Sequence, residues 1–233
     1  MGLKKIKVED FSFSFEHQLF HQVNCEIFEQ QITILLGRNG AGKTTFFDCL
    51  AGELKGQGGK ISYQTSSDEV VSQLSNSDYG YMSDDFFYYE RLTVEQMCSL
   101  IARLREQEKS DFQEKYTRYM KQLKLSDYEK VAVKDLSLGT KQRVHLLITI
   151  LHEPSLILLD EPTNGLDPEQ VHGFKLLVNA LKEEGRIILI STHSLKLVED
   201  IADRVLLLSD KKIREMNKTD NLEQTFLENI GSS

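Results

Sequence analysis

The stretch Gly37-Arg38-Asn39-Gly40-Ala41-Gly42-Lys43-Thr44-Thr45 comes directly after the apolar run Ile32-Thr33-Ile34-Leu35-Leu36 and runs into a helix-compatible segment, Thr44 to Leu50. That order predicts a strand, a glycine loop and the start of a helix. Gly37, Gly42, Lys43 and Thr44 satisfy the pattern GxxxxGK[ST], whose glycines let backbone N–H groups curl around a polyphosphate at the positive end of a helix. Lys43 is expected to reach the β- and γ-phosphates, and the Thr44 hydroxyl to sit on Mg²⁺. Asn39, Gly40, Ala41 and Thr45 fall in the same loop as further nucleotide contacts. The loop predicts a nucleotide-binding α/β protein; the work done with the nucleotide has to be read elsewhere.

On either side of the loop the apolar pattern fixes the remaining elements. Ile6 to Phe15 and Val23 to Phe28 alternate apolar with polar residues, so they are expected to frame the phosphate-loop strand with a half-buried antiparallel sheet. Gly56 to Gly59 reads as a turn, Lys60 to Tyr63 and Tyr79 to Met82 as short strands, and Gln64 to Asp78 as a polar, Ser-rich loop expected to be the least ordered part. From Thr93 to Leu125 the pattern turns helical, with Leu100, Leu104, Phe112, Tyr116, Tyr119 and Leu123 at spacings of three and four. Leu156 to Leu159, Arg186 to Ser191 and Val205 to Leu208 are continuous apolar runs, as expected of parallel strands buried on both faces. Predicted helices from about Glu169 to Glu184 and from Ser194 to Ala202 complete a strand-helix alternation. Leu222, Phe226, Leu227 and Ile230 suggest a last amphipathic helix.

Composition limits the function classes. No apolar run approaches the roughly 18–20 residues needed to cross a bilayer, and Met1 to Asp10 lacks the apolar stretch of a signal peptide, so a cytosolic chain is expected. A net charge of -8 argues against binding nucleic acid by phosphate neutralisation. Cys25, Cys49 and Cys98 have neither CxxC nor zinc spacing and are expected to be reduced and partly buried.

Two more stretches carry chemistry. Leu156-Ile157-Leu158-Leu159-Asp160-Glu161-Pro162 is an apolar strand ending in carboxylates. It puts Asp160 at the strand tip, where ligands of open α/β sheets bind and where it could hold Mg²⁺, and leaves Glu161 to orient or deprotonate an attacking water. Ser137-Leu138-Gly139-Thr140-Lys141-Gln142-Arg143 lies directly before the apolar helix Val144 to Leu151. Ser137 and the Gly139 amide would thus form a second anion site at a helix N-terminus, one that needs a phosphate from elsewhere.

Taken in order, GRNGAGKTT, LSLGTKQR, LILLDEP, GLD and STH resemble the motifs of an ATP-binding cassette protein, the nucleotide-binding subunit of an ABC transporter, from about Val8 to Arg214. The resemblance implies a phosphate-loop NTPase cassette in a single domain over 1–233, with a mixed sheet core, an antiparallel β subdomain and a helical subdomain at about 84–151. It implies an ATPase using ATP and Mg²⁺, with Lys43, Glu161 and His193 as the catalytic set. Phe15 falls where the family stacks an aromatic on adenine; the competing reading is a core strand Phe beside Phe11 and Phe13. Gly165-Leu166-Asp167 looks like the loop that crosses the dimer interface, bringing Asp167 near nucleotide, and His193 matches the histidine that contacts the γ-phosphate. The signature loop of one subunit would cover the γ-phosphate held by the other, in a homodimer or with a similar ATPase subunit. A separate transmembrane permease subunit would hold the pair on the inner face of the cell membrane, with no nucleic acid involved.

The family pattern is not matched everywhere. Its signature reads LSGGQ, whereas this chain has Leu138 and Thr140 and keeps Ser137 and Gly139. Where the family has a glutamine linking Mg²⁺ to the membrane partner, Asp84 stands, or else Asp85. Both departures resemble short exporter cassettes, and Phe86, Phe87, Tyr88 and Tyr89 would be aromatic anchors for the permease or else pack inside the subdomain. The alternative is a soluble cassette acting on nucleic acid or ribosomes. Asn217-Lys218-Thr219-Asp220 spells the guanine-reading NKxD, but the polar run Lys211 to Met216 precedes it where a buried strand is required, so a surface loop is expected.

Overall fold

In the computed structural model, residues 2–84, 89–105 and 109–216 are described. The elements are β1 (Leu3–Ser14), β2 (Gln18–Phe28), β3 (Gln31–Leu36), α1 (Lys43–Ala51), β4 (Gly58–Thr65), β5 (Val70–Val71), β6 (Tyr79–Met82), α2 (Val94–Leu104), α3 (Lys109–Gln122), α4 (Leu138–Ile150), β7 (Leu156–Asp160), α5 (Pro168–Glu183), β8 (Ile187–Thr192), α6 (Leu195–Ile201), β9 (Arg204–Ser209) and β10 (Lys212–Met216). A four-stranded antiparallel sheet runs β2-β1-β4-β5, and a six-stranded sheet runs β10-β9-β3-β8-β7-β6. The latter is parallel from β9 to β6, with β10 antiparallel at its edge.

The continuous apolar runs are explained by burial of the six-stranded sheet on both faces. Ile32, Ile34 and Leu36 of β3, Ile157 and Leu159 of β7, and Ile188 and Ile190 of β8 share one core with α2 to α6. Their alternating neighbours Leu35, Leu156, Leu158, Ile187 and Leu189 pack into a second core with α1 and the antiparallel sheet. Each strand therefore needs an apolar residue at nearly every position, which a half-exposed strand would not.

Parallel register brings the chemistry to one end of this sheet. Leu36, the last residue of β3, pairs with Thr192 of β8, and Asp160, the last of β7, pairs with Ser191. The phosphate loop, Glu161 and His193 leave adjacent strands at the same edge, where ligands of open α/β sheets bind. At the far side of the sheet, α4 lies so close to β6 that a Cβ on Gly80 would sit 2.2 Å from the Thr149 carbonyl oxygen. A backbone oxygen cannot yield as a flexible side chain can, so Gly80→Ala is expected to destabilise the fold by about 1–3 kcal/mol. The check is a lower urea midpoint at unchanged slope.

Several sequence expectations need correction. Gln64 to Asp78 is not all loop: Val70 and Val71 pair with Gln64 and Tyr63 of β4, and the Asp78 carboxylate accepts from Ser75 N at 2.8 Å to close the next turn. Polar side chains there build turns. In α2 the buried stripe is Val94, Met97, Cys98 and Ala102, while Leu104, the last residue of the helix, is 68% exposed. The helix after Ser137 begins at Leu138 and not at Val144. The polar run before Asn217 is a strand, but an edge strand in which only Ile213 and Met216 are buried. Cys49 and Cys98 are buried, Cys25 is half-buried, and all are free. Among the described residues no helix is long and apolar enough to cross a membrane. Asp85, Phe86, Phe87 and Tyr88, Asn217 to Asp220, and the tail from Leu222 to Ile230 lie outside the described residues.

Candidate nucleotide site

The phosphate loop depends on backbone that only glycine adopts without strain. Gly40 and Gly42 have φ of 78° and 103°. A Cβ on Gly42 would also sit 2.9 Å from Leu19 Cδ2 and 3.2 Å from Phe20 Cε1 of β2. Gly42 caps α1 with no side-chain bond, so the first-turn N–H groups stay available to an anion. Lys43 is 7% exposed, and its ammonium donates to Gly37 O at 3.0 Å and Arg38 O at 3.3 Å and pairs with Glu161 Oε1 at 3.3 Å.

The carboxylates are held by the tip of β8. Asp160 accepts from Ser191 Oγ on one oxygen and from Thr44 Oγ1 at 2.5 Å on the other. Glu161 donates its N–H to Ser191 O at 3.1 Å, and its carboxylate accepts from Thr192 Oγ1 at 3.3 Å and His193 Nδ1 at 3.0 Å. Its φ of 46° is a left-handed conformation unfavourable for a Glu, maintained here by these bonds. Thr44 and Asp160 juxtapose two hard oxygen donors at the helix end, the donor chemistry Mg²⁺ takes.

A cleft of about 450 Å³ joins these groups, lined by Phe15, Leu19, Asn39, Gly40, Gly42, Lys43, Thr44, Thr45, Asp84, Asp160, Glu161, Asn164 and His193. Gly37 and Ala41 shape the loop without lining the cleft. Phe11 and Phe13 are 4% exposed but Phe15 is 64%, standing edge-on to Phe13 at 4.9 Å, so of the three only Phe15 presents a ring to solvent. Asp84 is exposed at the cleft rim.

Ser137, Gly139 and Asp167 do not line this cleft. Ser137 caps α4, accepting from Thr140 N, and Gly139 is required because its Cβ would lie 3.0 Å from Gly165 O. The Asp167 carboxylate caps α5 by accepting from Gln170 N at 2.9 Å. Ser191 and Thr192 belong to the STH stretch, but the sequence assigns a role only to His193 there, and it does not point to Leu19 or Asn164. Also unforeseen is the bond from Tyr81 Oη to Asp48 Oδ1 at 3.0 Å, which ties α1 to β6; burial, and then the charge of Asp160, raise the Asp48 carboxyl.

The family model described as ABC transporter matches residues 20–164. An uncharacterized ABC transporter ATP-binding protein of Methanocaldococcus jannaschii is 32% identical over 94% of this chain and 79% of its own length. The chain belongs to the ABC transporter family. The lantibiotic transport ATP-binding protein SrtF of Streptococcus pyogenes is 28% identical over 95% of each chain. A solved ATP-binding subunit of an ABC transporter, 24% identical, superimposes with a TM-score of 0.81 over 96% of this chain and 94% of that one, which shows the fold. This ABC ATPase is thus the ATP-binding subunit of a transporter; it hydrolyses ATP, and such subunits pair with transmembrane permease components.

Proposed function

We propose that this chain drives an exporter by closing with a second ATPase subunit, a copy of itself or a similar chain, around two MgATP. The observation carrying this reading is the division of the nucleotide-handling groups: Lys43, Thr44, Asp160, Glu161 and His193 share a cleft, while the anion-binding helix N-terminus at Ser137 and Gly139 lies outside it. A second subunit would supply the phosphate for that helix end and receive the same in return. Mg²⁺ supplies charge neutralisation on the phosphates; Thr44 and Asp160 would hold it, with Asp84 reaching it or its water.

Phe15 stacks on the adenine, and Gly37, Asn39, Gly40, Ala41, Gly42 and Thr45 form the backbone cradle. Lys43 neutralises the β- and γ-phosphates, His193 contacts the γ-phosphate, and Glu161 takes a proton from the attacking water. Asp167 lies at the subunit boundary. The export direction is supported by the similarity to SrtF, a lantibiotic transport ATP-binding protein. The chain works as a single ATPase domain, with the segment from Asp84 to Leu151 as the helical subdomain, on the inner membrane face beside its permease. Tagged protein purified from detergent-solubilised membranes should bring down a membrane-spanning chain that raises its ATPase rate several-fold. Recovery from the soluble fraction alone, with no stimulating partner, would remove the proposed place on the membrane beside a permease.

A further inference from the structure

Thr140, where the family motif has glutamine, is part of a chain of hydrogen bonds that starts well away from the nucleotide cleft. One turn further along α4, Arg143 Nη1 donates to the carbonyls of Leu123 at 2.8 Å and Lys124 at 2.9 Å, which follow the end of α3. Arg143 Nη2 donates to Thr140 Oγ1 at 3.0 Å. Thr140 Oγ1 is in turn 2.9 Å from Ser137 Oγ, and Thr140 N–H donates to the same Ser137 oxygen at 3.3 Å.

The direction of the Ser137–Thr140 bond follows from counting donors and acceptors. A guanidinium only donates, so Arg143 takes a lone pair of Thr140 Oγ1 and offers no acceptor in return. Thr140 is 2% exposed, and among the described residues Ser137 Oγ is the acceptor within reach of its hydroxyl proton. Were Ser137 to donate instead, the Thr140 proton would be buried without a partner, which is costly. Ser137 is exposed, so its own proton meets no such penalty. Thr140 therefore donates to Ser137.

We infer that Arg143 and Thr140 are positioning residues: their relay fills the acceptor side of Ser137 Oγ and turns the Ser137 hydroxyl outward as a fixed donor toward the unprotonated terminal phosphate oxygens of a nucleoside triphosphate held by a second subunit. Two incoming bonds, from Thr140 N–H and O–H, leave Ser137 one function, donation, at the positive end of α4. A hydroxyl already oriented loses less rotational freedom on binding than one that must be recruited. This rests on the proposed closure around two nucleotides, with Ser137 as a phosphate contact.

The test uses the full chain carrying Glu161→Gln, whose MgATP-dependent dimerisation is followed by light scattering. Adding Thr140→Val, which keeps the shape and removes the hydroxyl, should raise the protein concentration for half-maximal dimerisation about five- to tenfold. Binding of a fluorescent ATP analogue to the dilute monomer should not change, and Thr140→Ser should behave as the parent. Melting temperatures separate this from loss of fold; if Thr140→Val unfolds, Thr140→Ala takes its place. Equal dimerisation of the Val and parent proteins, or a Ser variant as weak as Val, overturns the relay. A parent that does not dimerise with MgATP overturns the closure reading itself, and is seen before Thr140 is changed.

Discussion

Glu161→Gln is expected to slow ATP turnover by at least ~10²-fold while making ATP binding several-fold tighter. The two effects have different causes. An amide cannot accept the proton that water must lose, so the chemical step suffers whatever the affinity. Binding improves because the Glu161 carboxylate is itself a ligand of Lys43, 3.3 Å away, with only 7% of the Lys43 side chain and 10% of the Glu161 side chain exposed. Bringing a triphosphate to that ammonium exchanges one anion for another and crowds Glu161 with negative charge. The amide keeps acceptor capacity for Thr192 and His193 but removes the repulsion. Single-turnover hydrolysis and equilibrium ATP binding, measured on the same preparation, separate the terms. Turnover within about threefold of the unchanged protein would take the base role from Glu161, and weaker binding would refute the competition for Lys43.

The parts of this site that the sequence made legible are those where one residue type has one workable use. Gly42 and Gly40 need positive φ, Lys43 and Thr44 follow at fixed offsets, and continuous apolar runs such as Leu156 to Leu159 admit few placements other than a doubly covered sheet. Phe15 was ambiguous because strand alternation alone leaves Phe11, Phe13 and Phe15 on one face; the turn at residues 15–17, which ends β1 at Ser14, is what exposes the last ring. The inner face of α2 is formed by Val94, Met97, Cys98 and Ala102, and small residues such as Cys98 and Ala102 stand out less in an apolar pattern than Leu100 and Leu104 do. Ser191 and Thr192 are visible as part of STH, but their roles are not, because Ser191 acts through its register with Asp160 and Thr192 through its bond to Glu161, relations between distant strands that no local pattern displays. The Arg143-Thr140-Ser137 relay was likewise hidden, being a matter of which hydroxyl is buried.

Lys43→Ala is expected to weaken ATP binding by at least ~10²-fold, the loss of a charge-assisted contact to the phosphates from a side chain that is only 7% exposed. A second consequence must be separated from it. Lys43 holds Glu161 and ties Gly37 O and Arg38 O together, so its removal strands a carboxylate that is 10% exposed and loosens the loop. Removing one member of a buried pair can cost ~3–5 kcal/mol. The cost here should be smaller, because Glu161 retains Thr192 and His193 and the cleft admits water. The double variant Lys43→Ala with Glu161→Gln decides between the two consequences, since it removes the stranded charge without restoring the cation. Urea denaturation should show the double variant more stable than Lys43→Ala alone, while ATP binding stays lost in both. Recovery of ATP binding in the double variant would mean that Lys43 acts only by neutralising Glu161, and that the phosphates are held by the α1 N–H groups without it.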